Sequence, residues 1–167
     1  MRRRQGLFLH ALDTAPQTIC HFDLHPANLF GTDDETVLID WSFVGIGALG
    51  EDAGNLVADA VLDFHVDPMD VVSLYDRVRR GYVSGLQDAG WSGPAATVDL
   101  AMRASIAAKF AWIAPAMLRA ALEKRTLLNG RPIDEAFPLW AGAVRFLISC
   151  GEEALALVDE GDGSQAP

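Results

Sequence analysis

The stretch His21-Phe22-Asp23-Leu24-His25-Pro26-Ala27-Asn28, followed by Ile39-Asp40-Trp41, decides how the rest of this sequence is understood. It sets imidazoles, a carboxylate, a proline and an amide close together with few apolar residues, the composition of a loop with polar work to do. Leu29-Phe30 and Thr36-Val37-Leu38-Ile39 are β-prone and flank the turn cluster Gly31-Thr32-Asp33-Asp34-Glu35, which predicts a β-hairpin. A hairpin returns the chain to its start, so Asn28 at one end and Asp40 at the other come near each other. Two hard oxygen donors brought together in this way can share one cation. Asp23 then faces the same place from the other side.

Working outward, Leu7, Leu9, Ala11 and Leu12 read as the tail of a helix closed by Asp13, Thr14 and Pro16, and Thr18-Ile19-Cys20 as a short strand. Downstream the pattern is helical. Leu56, Val57, Ala60, Val61 and Phe64 recur at helical spacing from Asp52, and Asp67-Pro68 predicts an N-cap with a first-turn proline. Val72, Tyr75, Val78, Tyr82 and Leu86 form one face ended by Gly90. Met102, Ile106, Phe110, Ile113 and Met117 mark a long helix that Pro115 kinks or divides. Phe137, Trp140, Val144, Leu147, Ile148, Leu155 and Val158 mark a last helix, and the acidic, Gly- and Ser-bearing end from Asp159 reads as frayed. The predicted class is α+β, mainly α.

At 167 residues, 50% apolar and 22% charged, the length and composition suit one domain with a real core. The net charge of −10 argues against a nucleic-acid partner and is compatible with a cationic one. No run reaches the ~18 apolar residues of a membrane span, and Met1-Arg2-Arg3-Arg4 is followed by too short an apolar stretch for a signal peptide. A cytoplasmic protein with no membrane partner is expected. Cys20 and Cys150 read as two buried thiols.

His21, Asp23 and Asn28 fit the His-x-Asp-x-x-x-x-Asn spacing of kinase catalytic loops, where a carboxylate takes the proton of the attacking hydroxyl and an Asp after a strand helps hold Mg²⁺. With Asp40 and the run Gly45-Ile46-Gly47-Ala48-Leu49-Gly50-Glu51-Asp52, this stretch resembles the aminoglycoside phosphotransferase and choline kinase superfamily, whose members share the protein-kinase-like fold. Tyr82 to Trp91 resembles a helix end of bacterial members. The resemblance is specific over residues 18–56.

The resemblance implies an ATP- and Mg²⁺-dependent enzyme that transfers a phosphoryl group to a hydroxyl of a small molecule. It assigns Asp23 as catalytic base with His21 bracing the loop, Asn28 and Asp40 as metal ligands, and Asp52 as structural support. His25 and Trp41 are candidate substrate or loop contacts. It also implies a protein-kinase-like C-terminal lobe over 1–158, with the catalytic loop and metal site at 19–56, a helical subdomain at 57–158 and a flexible tail at 159–167. Only 20 residues precede His21, too few for the glycine-rich loop and lysine of the N-terminal nucleotide lobe. The expectation is a truncated form whose missing lobe a longer form supplies.

Two other readings stand beside this one: a non-catalytic pseudo-enzyme or binding module, and a metal-dependent hydrolase built on His21-Phe22-Asp23-Leu24-His25. The family usually has Gly where Phe22 and Ala27 stand, and a bulky Phe22 is expected to hold ordinary backbone angles. Trp41 reads as core packing beside Asp40, His65 as a helix C-terminal cap, and Asp59, Asp63, Asp67 and Asp70 as a solvated acidic face with N-cap duty or, on a sharper reading, an acidic rim for an amine-bearing substrate.

Overall fold

Apolar periodicity from residue 52 onward becomes helix in the computed structural model, which describes residues 2–32 and 35–163. α1 (Arg2–Thr14) leads into strand β1 (Gln17–Cys20); β2 (Leu29–Gly31) and β3 (Thr36–Leu38) follow, then β4 (Gly45–Ala48) and α2 (Glu51–Leu62). α3 (Val71–Asp88), α4 (Ala95–Lys109) and α5 (Ile113–Leu122) precede a short ribbon of β5 (Leu127–Leu128) and β6 (Arg131–Pro132), and α6 (Ile133–Gly163) closes the order. The protein is mainly helical with small antiparallel sheets.

The predicted hairpin is β2–β3, in the register Leu29↔Leu38, Phe30↔Val37 and Gly31↔Thr36. Its turn is closed by the Thr32 amide donating to the Glu35 carbonyl at 2.8 Å; Asp33 and Asp34 lie outside the described residues. β1 does not end unpaired: it joins β4, the first half of the glycine-rich run, with Ile19 opposite Ile46 and Cys20 opposite Gly45.

α4 is the central element, packed against α1, α2 and α6, and it buries Val98, Ala101, Met102, Ala104 and Ile106 completely. The segment Ala95–Leu122 is apolar and long enough to be compared with a membrane span, yet it is two helices broken at Phe110–Trp112. Pro115 falls in the first turn of α5, where its missing N–H costs nothing, so it divides the long stripe.

Three expectations need correction, and one element was missed. α3 begins at Val71, and Asp67 caps the preceding turn, its Oδ1 accepting from the Met69 amide at 2.8 Å. α2 ends in a Schellman motif whose left-handed residue is Phe64 (φ 63°), with the His65 amide donating to the Ala60 carbonyl. His65 therefore caps the helix through its backbone. α6 runs to Gly163, so residues 159–163 of the expected tail are helical, and 164–167 lie outside the described residues. The β5–β6 ribbon was not foreseen, although Asn129-Gly130, with φ 46° and 78°, is the type I′ turn signal. Cys20 and Cys150 are free, buried thiols, both pushed up to about 12 by burial.

Candidate functional site

The loop from His21 to Asn28 leaves β1 and is tied at once to α2. The Asp52 carboxylate accepts the His21 amide at 2.6 Å on one oxygen and the Phe22 amide at 2.9 Å on the other. Asp52 lies in the first turn of α2, where the helix dipole favours a negative charge. Charge-assisted bonds of this kind are about twice as strong as neutral ones, and here a single side chain satisfies two successive backbone donors.

Phe22 departs from its expected geometry. It sits in the left-handed region at φ 62°, a conformation costing an L-residue with a side chain roughly 1–2 kcal/mol. The surroundings impose it. A Cβ on Gly45 would stand 2.9 Å from Phe22 Cε2, and one on Gly47 would stand 2.5 Å from Cζ. The two glycines of β4 thus clear the space that the Phe22 ring occupies. The residue that departs from the family habit is seated by the strand that follows it.

His21 is buried, with Nε2 2.8 Å from the Ile39 carbonyl and Nδ1 accepting the Asp23 amide at 3.3 Å. This pattern assigns the neutral tautomer with the proton on Nε2. One imidazole thus clamps the start of the loop to the end of the hairpin. Asn28, also buried, donates Nδ2 to the Asp23 carbonyl at 2.9 Å and to the Asp23 carboxylate at 3.4 Å. Both partners are acceptors, which fixes the amide orientation and leaves Asn28 Oδ1 without a donor among the described residues. His25 Nε2 stands 4.0 Å from Asp23 Oδ2.

Across the hairpin base the Ile39 amide donates to the Asn28 carbonyl at 3.1 Å, so Asp40 begins one residue beyond the pairing. Asp40 is exposed and left-handed (φ 60°), a conformation Asp tolerates better than most residues, and Ser42 Oγ donates to its Oδ1 at 2.5 Å. The donor types suit a hard cation: an exposed carboxylate with one oxygen held by a hydroxyl, and an amide oxygen that receives no hydrogen bond among the described residues. Trp41 is not core. It is 44% exposed, lays its ring 4.7 Å from that of His21 and donates Nε1 to the Leu38 carbonyl.

The hydrolase reading fares differently. Both ring nitrogens of His21 are engaged with backbone groups. Among the described residues, no group of three or more His, Cys, Asp or Glu is placed to hold a metal ion.

Of two residues behind the loop, one escaped the sequence reading and the other was read differently. Lys109, the last residue of α4, reaches the Phe22 carbonyl at 3.5 Å and Asp59 Oδ2 at 3.9 Å. Asp59 is therefore no member of a freely solvated face. Burial pushes its carboxyl up to about 6, with Lys109 opposing and Asp63 and Asp23 adding to the rise. No spacing rule connects Lys109 to a loop so far upstream.

The sequence profile described as phosphotransferase enzyme family matches residues 2–96. Methylthioribose kinase of Geobacillus thermodenitrificans (strain NG80-2) is 38% identical over 50 residues, which is 30% of this chain and 13% of that protein's length. The match thus spans a small part of that relative. No solved structure matches.

Proposed function

This chain belongs to the phosphotransferase enzyme family, and from that premise we propose that it carries the catalytic and metal-binding half of a small-molecule kinase. The donor is ATP with Mg²⁺, and the acceptor is a hydroxyl, on a substrate that can be cationic. Asp23 is the base: its carboxylate faces outward from a loop pinned on both sides and would orient the attacking hydroxyl and take its proton. Asn28 and Asp40 would hold Mg²⁺, which when bound neutralises charge on the donor phosphates. His21 braces Asp23, Asp52 anchors the loop backbone, and His25, with Trp41 behind His21, borders the acceptor side.

The observation that carries this reading is the shared architecture of Asp23, Asn28 and Asp40. Asn28 Nδ2 touches Asp23, and the residue before Asp40 is hydrogen-bonded to Asn28. This frame supports reading Asp23 as the base with Asn28 and Asp40 as the metal ligands.

We further read residues 1–158 as a protein-kinase-like C-terminal lobe, with the site at 19–56 and the helices beyond it as support. Ile19 and Ile46, paired across β1–β4, are each 68% exposed, and Phe30 and Val37 pair exposed across the hairpin. Such faces suit a nucleotide lobe, supplied by a longer form, that would cover them. A cytoplasmic setting, with neither nucleic acid nor membrane as partner, fits the same reading.

The test is transfer of the γ-phosphoryl group from MgATP to a panel of hydroxyl compounds, methylthioribose among them, by the polypeptide its gene encodes. Asp23→Asn should lower kcat by about 10²–10⁴-fold while the KM for ATP changes little. Equal turnover by the variant overturns the assignment of Asp23. Absence of transfer to every acceptor, with the fold intact, favours the non-catalytic binding module.

A further inference from the structure

Asp23 owes its position to the peptide plane it shares with Phe22. That plane is rigid, so holding the Phe22 carbonyl at one end and the Asp23 amide at the other fixes the Asp23 Cα from which the side chain leaves. The amide end is held by His21 Nδ1 at 3.3 Å. At the carbonyl end stands Lys109 Nζ at 3.5 Å. Phe22 itself is left-handed, and its amide and ring are already committed to Asp52 and to the glycine-cleared face of β4. Strained residues persist where the surroundings over-determine them, and Lys109 is the group that meets the remaining side of this one.

Lys109 is itself placed. It ends α4, where the helix dipole favours a cation; its ammonium stands 3.9 Å from Asp59 Oδ2 and 5.3 Å from the Phe110 ring centroid. Asp59 in turn projects from α2, the same helix whose first turn supplies Asp52. Two points on α2 therefore reach the same turn of the loop, one directly and one through Lys109.

We propose that Lys109 is a positioning residue of the phosphoryl-transfer site: held by Asp59, it fixes the Phe22–Asp23 peptide plane through the Phe22 carbonyl and so aims the Asp23 carboxylate. The proposal rests on the phosphotransferase reading for its catalytic consequence, and on geometry alone for the contact. Its distances are at the long end for hydrogen bonding, as catalytic contacts often are before substrate binds.

The experiment compares Lys109→Met, which keeps the apolar stem and removes the charge, with Lys109→Arg, which keeps the charge. In the labelled full chain, the Phe22 carbonyl carbon resonance should move in Lys109→Met and return toward wild type in Lys109→Arg, with the thermal midpoint unchanged in both. In the MgATP transfer assay, Lys109→Met should lose about tenfold to a hundredfold in kcat with little change in the KM for ATP, and Lys109→Arg should recover most of it. An unmoved carbonyl resonance in Lys109→Met, or equal kcat losses in the two variants, overturns the proposal. If no acceptor is turned over even by wild type, that result falls on the phosphotransferase reading, and the carbonyl resonance still decides whether Lys109 holds the plane.

Discussion

Between Gln17 and Gly50 the chain forms two short ribbons whose cross-strand apolar pairs, Ile19–Ile46 and Phe30–Val37, remain exposed. From Glu51 onward the helices close over Val57, Val61, Val98, Met102 and Ile106, all fully buried. The first region has little core of its own. Its shape comes from polar bonds between side chain and backbone: Asp52 to two amides, His21 to Ile39 and Asp23, Asn28 to Asp23. The second region owes its shape to packed apolar volume. The division separates the residues of the candidate site from those that hold the protein together, and it predicts that damage to each region is read out differently.

The largest loss of stability belongs to the helical region. Met102→Ala should cost roughly 2–5 kcal/mol, because α4 is enclosed on several sides and cannot collapse into the space left. A urea denaturation series would check it, and a loss below 1 kcal/mol would mean that the core relaxes freely and the contrast between the regions is weaker than drawn.

Next is the tie between the regions. Asp52→Ala removes the acceptor of two amides and should cost about 2 kcal/mol. Its main effect should be local: hydrogen exchange should accelerate at His21 and Phe22 while the amides of α4 stay protected. Uniform acceleration along the chain would show that the loop and the core open together.

The smallest effect is a pH dependence at Asp59. Its carboxyl is raised from 3.8 to about 6 chiefly by burial, so the folded chain holds this proton more tightly than the unfolded one. The stability this contributes is full below 3.8 and is lost as pH rises through about 6. Asp59→Asn cannot titrate, so wild type should lose stability relative to the variant across that window. Denaturation midpoints measured at several pH values test the sign, and a relative gain with rising pH would contradict it.

One buried group stands apart. Asn55, on α2 between Asp52 and Asp59, has neither amide atom bonded to protein. It is the one buried side chain of α2 whose polar partners the described residues do not supply.

Much of the site was legible because its parts are local. The span from His21 to Asn28, the hairpin and Asp40 depend on near neighbours, and the spacing of residue types reports them directly. The helices were legible for the same reason, since burial of one face repeats along the sequence. What escaped was set at long range or by backbone conformation. Phe22 looked bound to ordinary angles because a side chain argues against a left-handed residue, and only the space cleared by Gly45 and Gly47 overrides that preference. Trp41 looked like core because tryptophan usually is, yet it lies over His21 at the surface.

The sequence by itself determined the family, the mainly helical class and the residue types at the loop and hairpin, because these follow from short-range pattern and chemistry. Only the tertiary structure decided that β4 pairs with β1, that Asp52 holds two successive amides, and that Lys109 and Asp59 stand behind the loop. Those contacts join elements far apart in the chain, and no local preference encodes them. They exist because the packing of α2 and α4 brings charged side chains to a strained turn whose backbone groups need partners.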